Sequence, residues 1–529
     1  MNDTFYFFSW QDINFLKSEL FLVVAWLMAF CGLLLPKKFT RFFVSWLCSV
    51  TILVNLILLI FSLNKIETDT TAFFWNDLFY QNRFSHYLKI LISISALFSI
   101  WIQNSYNKKN NKTISEWFVI LLGGVLSAQF LLISANIFGI YVSLEMLSIC
   151  GYLLVAFYDK HLNYGLRPDK AAKLITDYDN KNLFLLEINN KKGKLIASTF
   201  NYLVFGAVSS ACLLYGFSWW YGLSGSFSIP VIFDFVSSNN FTESNQTTFL
   251  MGFVLIGIGF LFKLAAVPLH FWISEVYKNA SSGTVFFLGT IPKIAVIGIL
   301  FFILNYSIYL SLSLQEIIFS SLSMIGIFSA IFGGFLAIQQ INFKRFFAYS
   351  GISQMGFLIL LLVYNFQNTI ISSNGIIIFW LFYILSNVIV WKIAAELENH
   401  HFGNELFIKN LKNLPLIPKV ILSIASLSLA GMPPLGGFLV KIIVFFVAYQ
   451  NYQAHSENSL YLFALIGIGI ATLIGFFYYL KIPYYLFLKS LAKTPPTAKN
   501  KISNSTLFYS ILLIAINVVL AIYAIRFLL

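Results

Sequence analysis

Four charged residues stand in the middle of long apolar runs. They are Glu145 in Y-V-S-L-E-M-L-S-I-C, Lys263 in F-L-F-K-L-A-A-V-P-L-H-F-W, Lys293 in T-I-P-K-I-A, and Lys441 at the end of S-L-A-G-M-P-P-L-G-G-F-L-V-K. A charge at mid-membrane depth costs at least ~2.5–3.5 kcal/mol on insertion scales. Such a group must pair, line a polar path, or give up its charge. Held together, Glu145 and Lys263 can both stay ionised; drawn apart, the lysine releases a proton and the carboxylate binds one. That is the chemistry of a proton relay driven by small changes in distance. A static ion pair is the plainer alternative for Glu145, but it leaves the surplus lysines without a fixed partner. His270 could carry protons between lysines or serve as a hydrogen-bonded packing residue. Lys89, a few residues into its apolar run, reads as a snorkelling side chain, and Lys392 and Lys481, nearer the ends of theirs, as structural.

Prolines break two of these runs. Pro268 follows Lys263 by five residues, and Pro433 and Pro434 precede Lys441. A proline inside a helix removes a hydrogen bond and clashes one turn back, at a cost of ~3 kcal/mol in water. In a membrane such a break is tolerated where protein or water satisfies the freed backbone groups, and broken helices mark ion sites in transporters. Both broken runs carry a mid-span lysine, and they lie five spans apart. The lysine precedes the break in one and follows it in the other.

The elements that position these residues are membrane helices. The chain has 529 residues, 59% hydrophobic and 10% charged, with a mean hydropathy of +0.80, whereas a soluble domain carries roughly 25% charge. The apolar runs lack the alternation of a membrane barrel. No GxGxxG follows a strand and no P-loop is present, so no nucleotide site is expected. Cys31, Cys48, Cys150 and Cys212 form no CxxC and read as small core residues; no metal site is expected. Residues 1–20 lack a basic n-region and do not read as a cleavable signal.

Fourteen spans are expected, at roughly 19–35, 40–63, 86–103, 115–134, 137–157, 198–222, 249–277, 282–304, 314–338, 343–364, 373–397, 416–450, 458–488 and 504–528. Charge supports the count. With loops numbered in order, the odd loops hold 24 of the 34 Lys and Arg residues. The net charge of +13 therefore reflects the positive-inside bias and not a nucleic-acid partner. Both termini are expected outside and the basic face in the cytoplasm or matrix. The segment from Tyr158 to Ile196 is the one long basic-face segment, a surface loop or small docking element, and Ser224 to Thr248 is an outside loop. The odd offset between the two broken spans suggests inverted repeats. Residues 1–114 then form three N-terminal helices, 115–304 a first repeat of helices 4–8 with an insertion at 158–197, 305–488 a second repeat of helices 9–13, and 489–529 a final helix.

K-L-A-A-V-P-L-H-F-W-I-S-E-V-Y (Lys263 to Tyr277), N-F-K-R-F-F-A-Y-S-G-I-S-Q-M-G (Asn342 to Gly356) and S-L-A-G-M-P-P-L-G-G-F (Ser428 to Phe438) resemble signatures of the antiporter-like membrane subunits of respiratory complex I, NADH:quinone oxidoreductase. H-F-W followed by S-E-V-Y, with P-K in the next span, is similar to the subunit N, or NADH dehydrogenase subunit 2, pattern. The two larger relatives typically read H-T-W-L-P-D-A-M and carry a histidine in the eighth span. The chain departs from the family at Ser274 and Glu275, where proline and aspartate are frequent, and at Gln354, where histidine is; neither departure is expected to touch the central charges. The resemblance implies a coupled Glu145–Lys263 pair, Lys293 as central relay and Lys441 as exit-side donor, with His270 a further candidate. It implies no cofactor in this chain, with NAD, FMN, iron–sulfur clusters and quinone bound by other subunits. It implies partners in the membrane arm, including the two larger antiporter-like subunits, and a bacterial or mitochondrial inner membrane. A multisubunit monovalent cation/proton antiporter subunit and a passive membrane scaffold are the competing readings.

Overall fold

The computed structural model describes residues 15–63, 71–107, 115–157, 178–238, 243–363, 369–400, 406–454, 459–488 and 502–528. Among them are seventeen α-helices. The first five are α1 (Lys17–Gly32), α2 (Lys37–Leu63), α3 (Arg83–Asn107), α4 (Ser115–Ile133) and α5 (Ile137–Ala156). Next come α6 (Tyr178–Ser224), α7 (Ile229–Ser237), α8 (Glu243–Leu264), α9 (Phe271–Asn279) and α10 (Ser282–Tyr306). The rest are α11 (Leu312–Gln339), α12 (Phe343–Val363), α13 (Thr369–His400), α14 (Leu416–Ala430), α15 (Gly436–Ala454), α16 (Ser459–Pro483) and α17 (Asn504–Leu528). Helix is what a backbone without water requires, because every N–H and C=O must find a partner within the segment.

Twelve of the helices are long and apolar enough to cross a membrane. α1, with 16 residues, and the α14–α15 pair complete the fourteen expected segments. The two broken spans are α8–α9 and α14–α15. The turn at Ala135–Asn136 does separate two helices: Asn136 caps α5 by accepting from the Phe138 N–H at 2.8 Å.

The apolar, membrane-crossing part of the sixth helix, Gly193–Ser224, agrees with the span expected from about residue 198. The helix itself extends further than expected: it starts at Tyr178 and runs 47 residues, about 70 Å at 1.5 Å per residue and well beyond a ~30 Å hydrocarbon core. The helix thus takes in the C-terminal half of the 158–197 segment, and residues 158–177 lie outside the described residues. The stretch from Ser224 to Thr248 contains α7, whose Phe233 packs edge-on against Trp220 and Phe249. A short hairpin, β1 (Ala72–Phe74) and β2 (Phe79–Gln81), pairs antiparallel with Ala72 opposite Gln81. The thiols are free; Cys48 and Cys150 are buried, whereas Cys31 is exposed and not a core residue.

α4, α10, α12 and α13 form the buried axis. α10 packs on α3, α4, α8 and α13. Apolar burial does not drive helix association in lipid, so close contact depends on small residues. At the α11–α12 crossing a Cβ on Gly356 would stand 2.4 Å from the Ala330 nitrogen; only glycine lets these two backbones approach.

Candidate functional site

The two breaks are the same motif, residue for residue. α8 ends at Leu264, and Ala265 turns left-handed at φ +57°. The Ala265 N–H donates to the Phe262 carbonyl and the Ala266 N–H to the Leu261 carbonyl, both at 3.0 Å. α14 ends at Ala430, and Gly431 turns left-handed at φ +82°. There the Gly431 N–H donates to Ser428 at 3.0 Å and the Met432 N–H to Leu427 at 3.1 Å. This pair of bonds is the Schellman helix stop. In each case a cis X–Pro bond follows, Val267–Pro268 and Pro433–Pro434. Ala265 thus answers to Gly431, and Pro268 to Pro434.

The mismatch in lysine position disappears in three dimensions. Lys263 lies in the last turn of α8. Lys441, on α15, reaches back across the break and donates to the Ala430 carbonyl. Both lysines therefore act at the C-terminal end of the first half-helix, where the helix dipole favours a cation. At the second break every carbonyl that the helix stop leaves open is satisfied. Leu427 and Ser428 accept from the turn, Leu429 accepts from Gln354 Nε2 at 3.1 Å, and Ala430 accepts from Lys441. Gln354 therefore does reach the second central lysine's surroundings, contrary to the expectation from sequence. At the first break the Trp272 indole donates to the Phe262 carbonyl at 3.1 Å.

Lys263 is buried, and its Nζ donates to Ser148 Oγ at 2.5 Å and Tyr152 Oη at 3.4 Å. Ser148 and Tyr152 continue the α5 face that begins with Glu145, one and two turns on. Among the described ion pairs Lys263–Glu145 does not occur. Ser148 Oγ donates onward to the Leu144 carbonyl at 2.6 Å, and Glu145 Oε1 is buried with no hydrogen-bond partner among the described residues. His270 is buried at the start of α9, edge-on to Phe332 of α11 at 5.6 Å. The Val267 N–H donates to Ser329 of the same helix at 2.9 Å, so the first break leans on the second half of the molecule.

Three small cavities lie beside these places. The first, about 10 Å³, lies between Lys263, Ser148, Tyr202 and the α10 residues Leu288, Pro292 and Val296. The second, about 10 Å³, opens on the other side of α10 among Gly289, Thr290, Tyr277, Tyr383 and Asn387. The third, about 20 Å³, lies beside the second break among Tyr383, Ser386, Gln354, Ser428 and Gly437. Each has room for roughly one water. α10 is the wall between the first two, and Tyr383 borders the second and third. Lys293 is on α10, fully buried, one residue after Pro292 and three after Thr290, and its Nζ has no hydrogen-bond partner among the described residues.

The sequence reading missed the uncharged members: Ser148, Tyr152, Thr290, Gln354, Tyr383 and Asn387. Their only signal was helical spacing from a charged residue, such as Ser148 three after Glu145. It also misplaced Lys89, which does not snorkel: it is 1% exposed and meets Glu19, 0% exposed, at 2.6 Å. Glu19, placed at the very edge of the first span, is a fully buried acid. Lys392, read as structural, is buried against α3, where it donates to the Trp101 carbonyl at 3.0 Å and to Ser105.

The family model described as NADH:quinone oxidoreductase/Mrp antiporter, TM, matches residues 181–471. NADH-quinone oxidoreductase subunit N of Pelagibacter ubique is 29% identical over 507 residues, which is 95% of this chain and 96% of that protein. A chain of respiratory complex I from Thermus thermophilus shares the fold with a TM-score of 0.70 and 19% identity, covering 95% of this chain and 96% of that one. A chain of the Mrp complex from Dietzia does so at 0.73 and 14%, covering 97% and 95%. With more than half its length matched, this chain belongs to the NADH:quinone oxidoreductase/Mrp antiporter transmembrane family.

Proposed function

We propose that this chain is the subunit N type component of an NADH:quinone oxidoreductase and moves protons across the membrane without redox chemistry of its own. NAD, FMN, iron–sulfur clusters and quinone are then held by other subunits, and its neighbours are membrane-arm subunits, the two larger antiporter-like ones among them. The membrane is a bacterial inner membrane, with a mitochondrial one the alternative, and both termini lie on the outer side. Residues 115–304 and 305–488 are the two functional repeats, flanked by three N-terminal helices and one C-terminal helix.

The observation that carries this reading is a set of three small cavities, one beside Lys263, one against α10, which carries Lys293, and one beside the break whose Ala430 carbonyl Lys441 holds. Glu145 is the electrostatic partner of Lys263. When they approach, both hold charge; when they separate, the Lys263 ammonium hands its proton on. An ammonium without a partner is expensive in apolar surroundings, so Lys293 is suited to hold a proton only in passing. Thr290, Asn387 and Tyr383 bridge toward the second break. Lys441 has the Ala430 carbonyl as its resting acceptor and delivers to the outside.

The test is to purify the complex through a tag on this chain, reconstitute it in liposomes, and supply NADH and quinone. The expected result is co-purification with flavin and iron–sulfur subunits and a proton gradient that forms only with both substrates. Sodium-driven proton movement with neither substrate would replace this reading by the cation/proton antiporter.

A further inference from the structure

At the face that carries the basic loops, four helix ends converge on one ion pair. Lys344, in the first turn of α12, meets Glu398, near the end of α13; their side chains are 10% and 11% exposed. Lys344 Nζ also donates at 2.6 Å to the carbonyl of Ala280, the residue that caps α9. Glu398 accepts at 3.4 Å from the N–H of Ser282, the first residue of α10, where the helix dipole favours an anion. The pair therefore ties together α9, α10, α12 and α13. The same four helices line the second cavity, through Tyr277, through Phe286, Gly289 and Thr290, through Phe347, and through Tyr383, Asn387 and Trp391.

The residues descend in layers along helical spacing. Ser282, Lys344 and Glu398 form the outermost layer at the helix ends, with Ser282 and Lys344 buried and Glu398 nearly so. Below them Phe347 and Tyr277 pack edge-on against Trp391, each with ring centres 5.9 Å apart. Deeper still come Thr290 and Asn387, then Lys293. Between the ion pair and the lysine there is thus one layer of aromatic rings and then polar side chains.

We propose that Lys344 and Glu398 form the gate of a proton inlet, which leads from the basic face between α9, α10, α12 and α13 to Lys293. This inlet rests on the proton-moving reading above and adds the place where protons enter. With the pair made, the four helix ends are drawn together and the aromatic layer is shut. With it parted, the ends loosen and water reaches Thr290 and Asn387. The proton passes from solvent along these groups to the lone pair of a neutral Lys293 amine; Lys344 and Glu398 keep their own protonation throughout. They are positioning residues.

Water access is read by a cysteine at the cavity. In the assembled complex Asn387→Cys is exposed to a small, membrane-impermeant thiol reagent from the basic face, and its labelling rate is followed by peptide mass spectrometry. Adding Glu398→Gln, which keeps the shape and removes the charge, should raise that rate about tenfold or more, because one partner of a largely buried pair is lost. A cysteine at Ile297, buried on α10 and away from the cavity, should stay slow in both backgrounds. If Glu398→Gln does not assemble, Lys344→Gln tests the same contact. An unchanged rate at position 387, or an equal rise at position 297, overturns the gate. Labelling reports water and not proton transfer, so these outcomes leave the relay untouched, and loss of the relay would leave the labelling result standing.

Discussion

Glu19 and Lys89 meet at 2.6 Å, almost completely buried. Their surroundings supply fixed hydrogen-bond partners. Ser18 Oγ donates to Glu19 at 2.7 Å, and Asn55 Nδ2 donates to the Ser18 carbonyl at 3.0 Å. Ser93 and Gln129 both donate to the Asn55 side-chain Oδ1 at 3.0 Å, which links α1, α2, α3 and α4. Glu145 and Lys263 are the same two residue types in the same membrane, arranged in the opposite way. Lys263 is held by two hydroxyls, beside a cavity, at the end of a broken helix. A direct pair inside a closed network has one arrangement. A cation held by rotatable hydroxyls near a carboxylate has more than one, and the helix break gives it room to change between them. On the proposed reading the difference separates a fastening from a relay, and depth or charge alone could not have drawn it.

Breaking the fastening should have the largest effect on stability. Glu19→Leu or Lys89→Met alone leaves a buried charge without its partner and should cost about 3–5 kcal/mol, whereas the double variant should recover most of that loss. Thermal unfolding in detergent, with the amount of assembled chain, measures both. If the double variant is as damaged as the singles, the pair is more than a fastening and the contrast with Lys263 weakens.

The two breaks offer a finer comparison. A Cβ on Gly431 would stand 2.6 Å from Lys441 Cδ, at a φ of +82°. Gly431→Ala should therefore cost about 1–2 kcal/mol from the left-handed backbone and also push Lys441 off the Ala430 carbonyl, lowering proton movement beyond the loss of stability. Ala265 already carries a Cβ at the equivalent left-handed position, φ +57°. Ala265→Gly exchanges relief of strain for about 0.5–1 kcal/mol of chain entropy and should leave stability within roughly 1 kcal/mol and pumping intact. Equal pumping defects in the two variants would mean that the breaks, and not the lysine at the second, set the effect.

Much of this was legible in the sequence because membrane physics is coarse. Apolar length and the alternation of Lys and Arg placed fourteen segments, and mid-span charge picked out Glu145, Lys263, Lys293 and Lys441. The limits were equally physical. α6 was started late because a helix leaving the membrane becomes polar and loses the apolar signal, as the run from Tyr178 does. Glu19 looked like an edge residue because its burial depends on α2, α3 and α4 closing over it. Tyr383 and Asn387 are ordinary residues of an apolar helix until α10 and α12 pack against them. The equivalence of Lys263 and Lys441 was hidden because one lies in the last turn before its break and the other reaches back across it.

The central claim is that Lys263 works by exchanging a proton and not by holding a charge. Lys263→Arg decides between these, because arginine keeps its positive charge in proteins and cannot hand the proton on. The measurement is NADH-driven proton movement and quinone reductase turnover in membranes, normalised to assembled complex, for Lys263→Arg beside Glu145→Gln. The account expects both variants to assemble and both to lose proton movement, with coupled turnover falling alongside. Full coupled activity in Lys263→Arg, with Glu145→Gln near normal, would contradict it and leave Glu145 and Lys263 as a packing device.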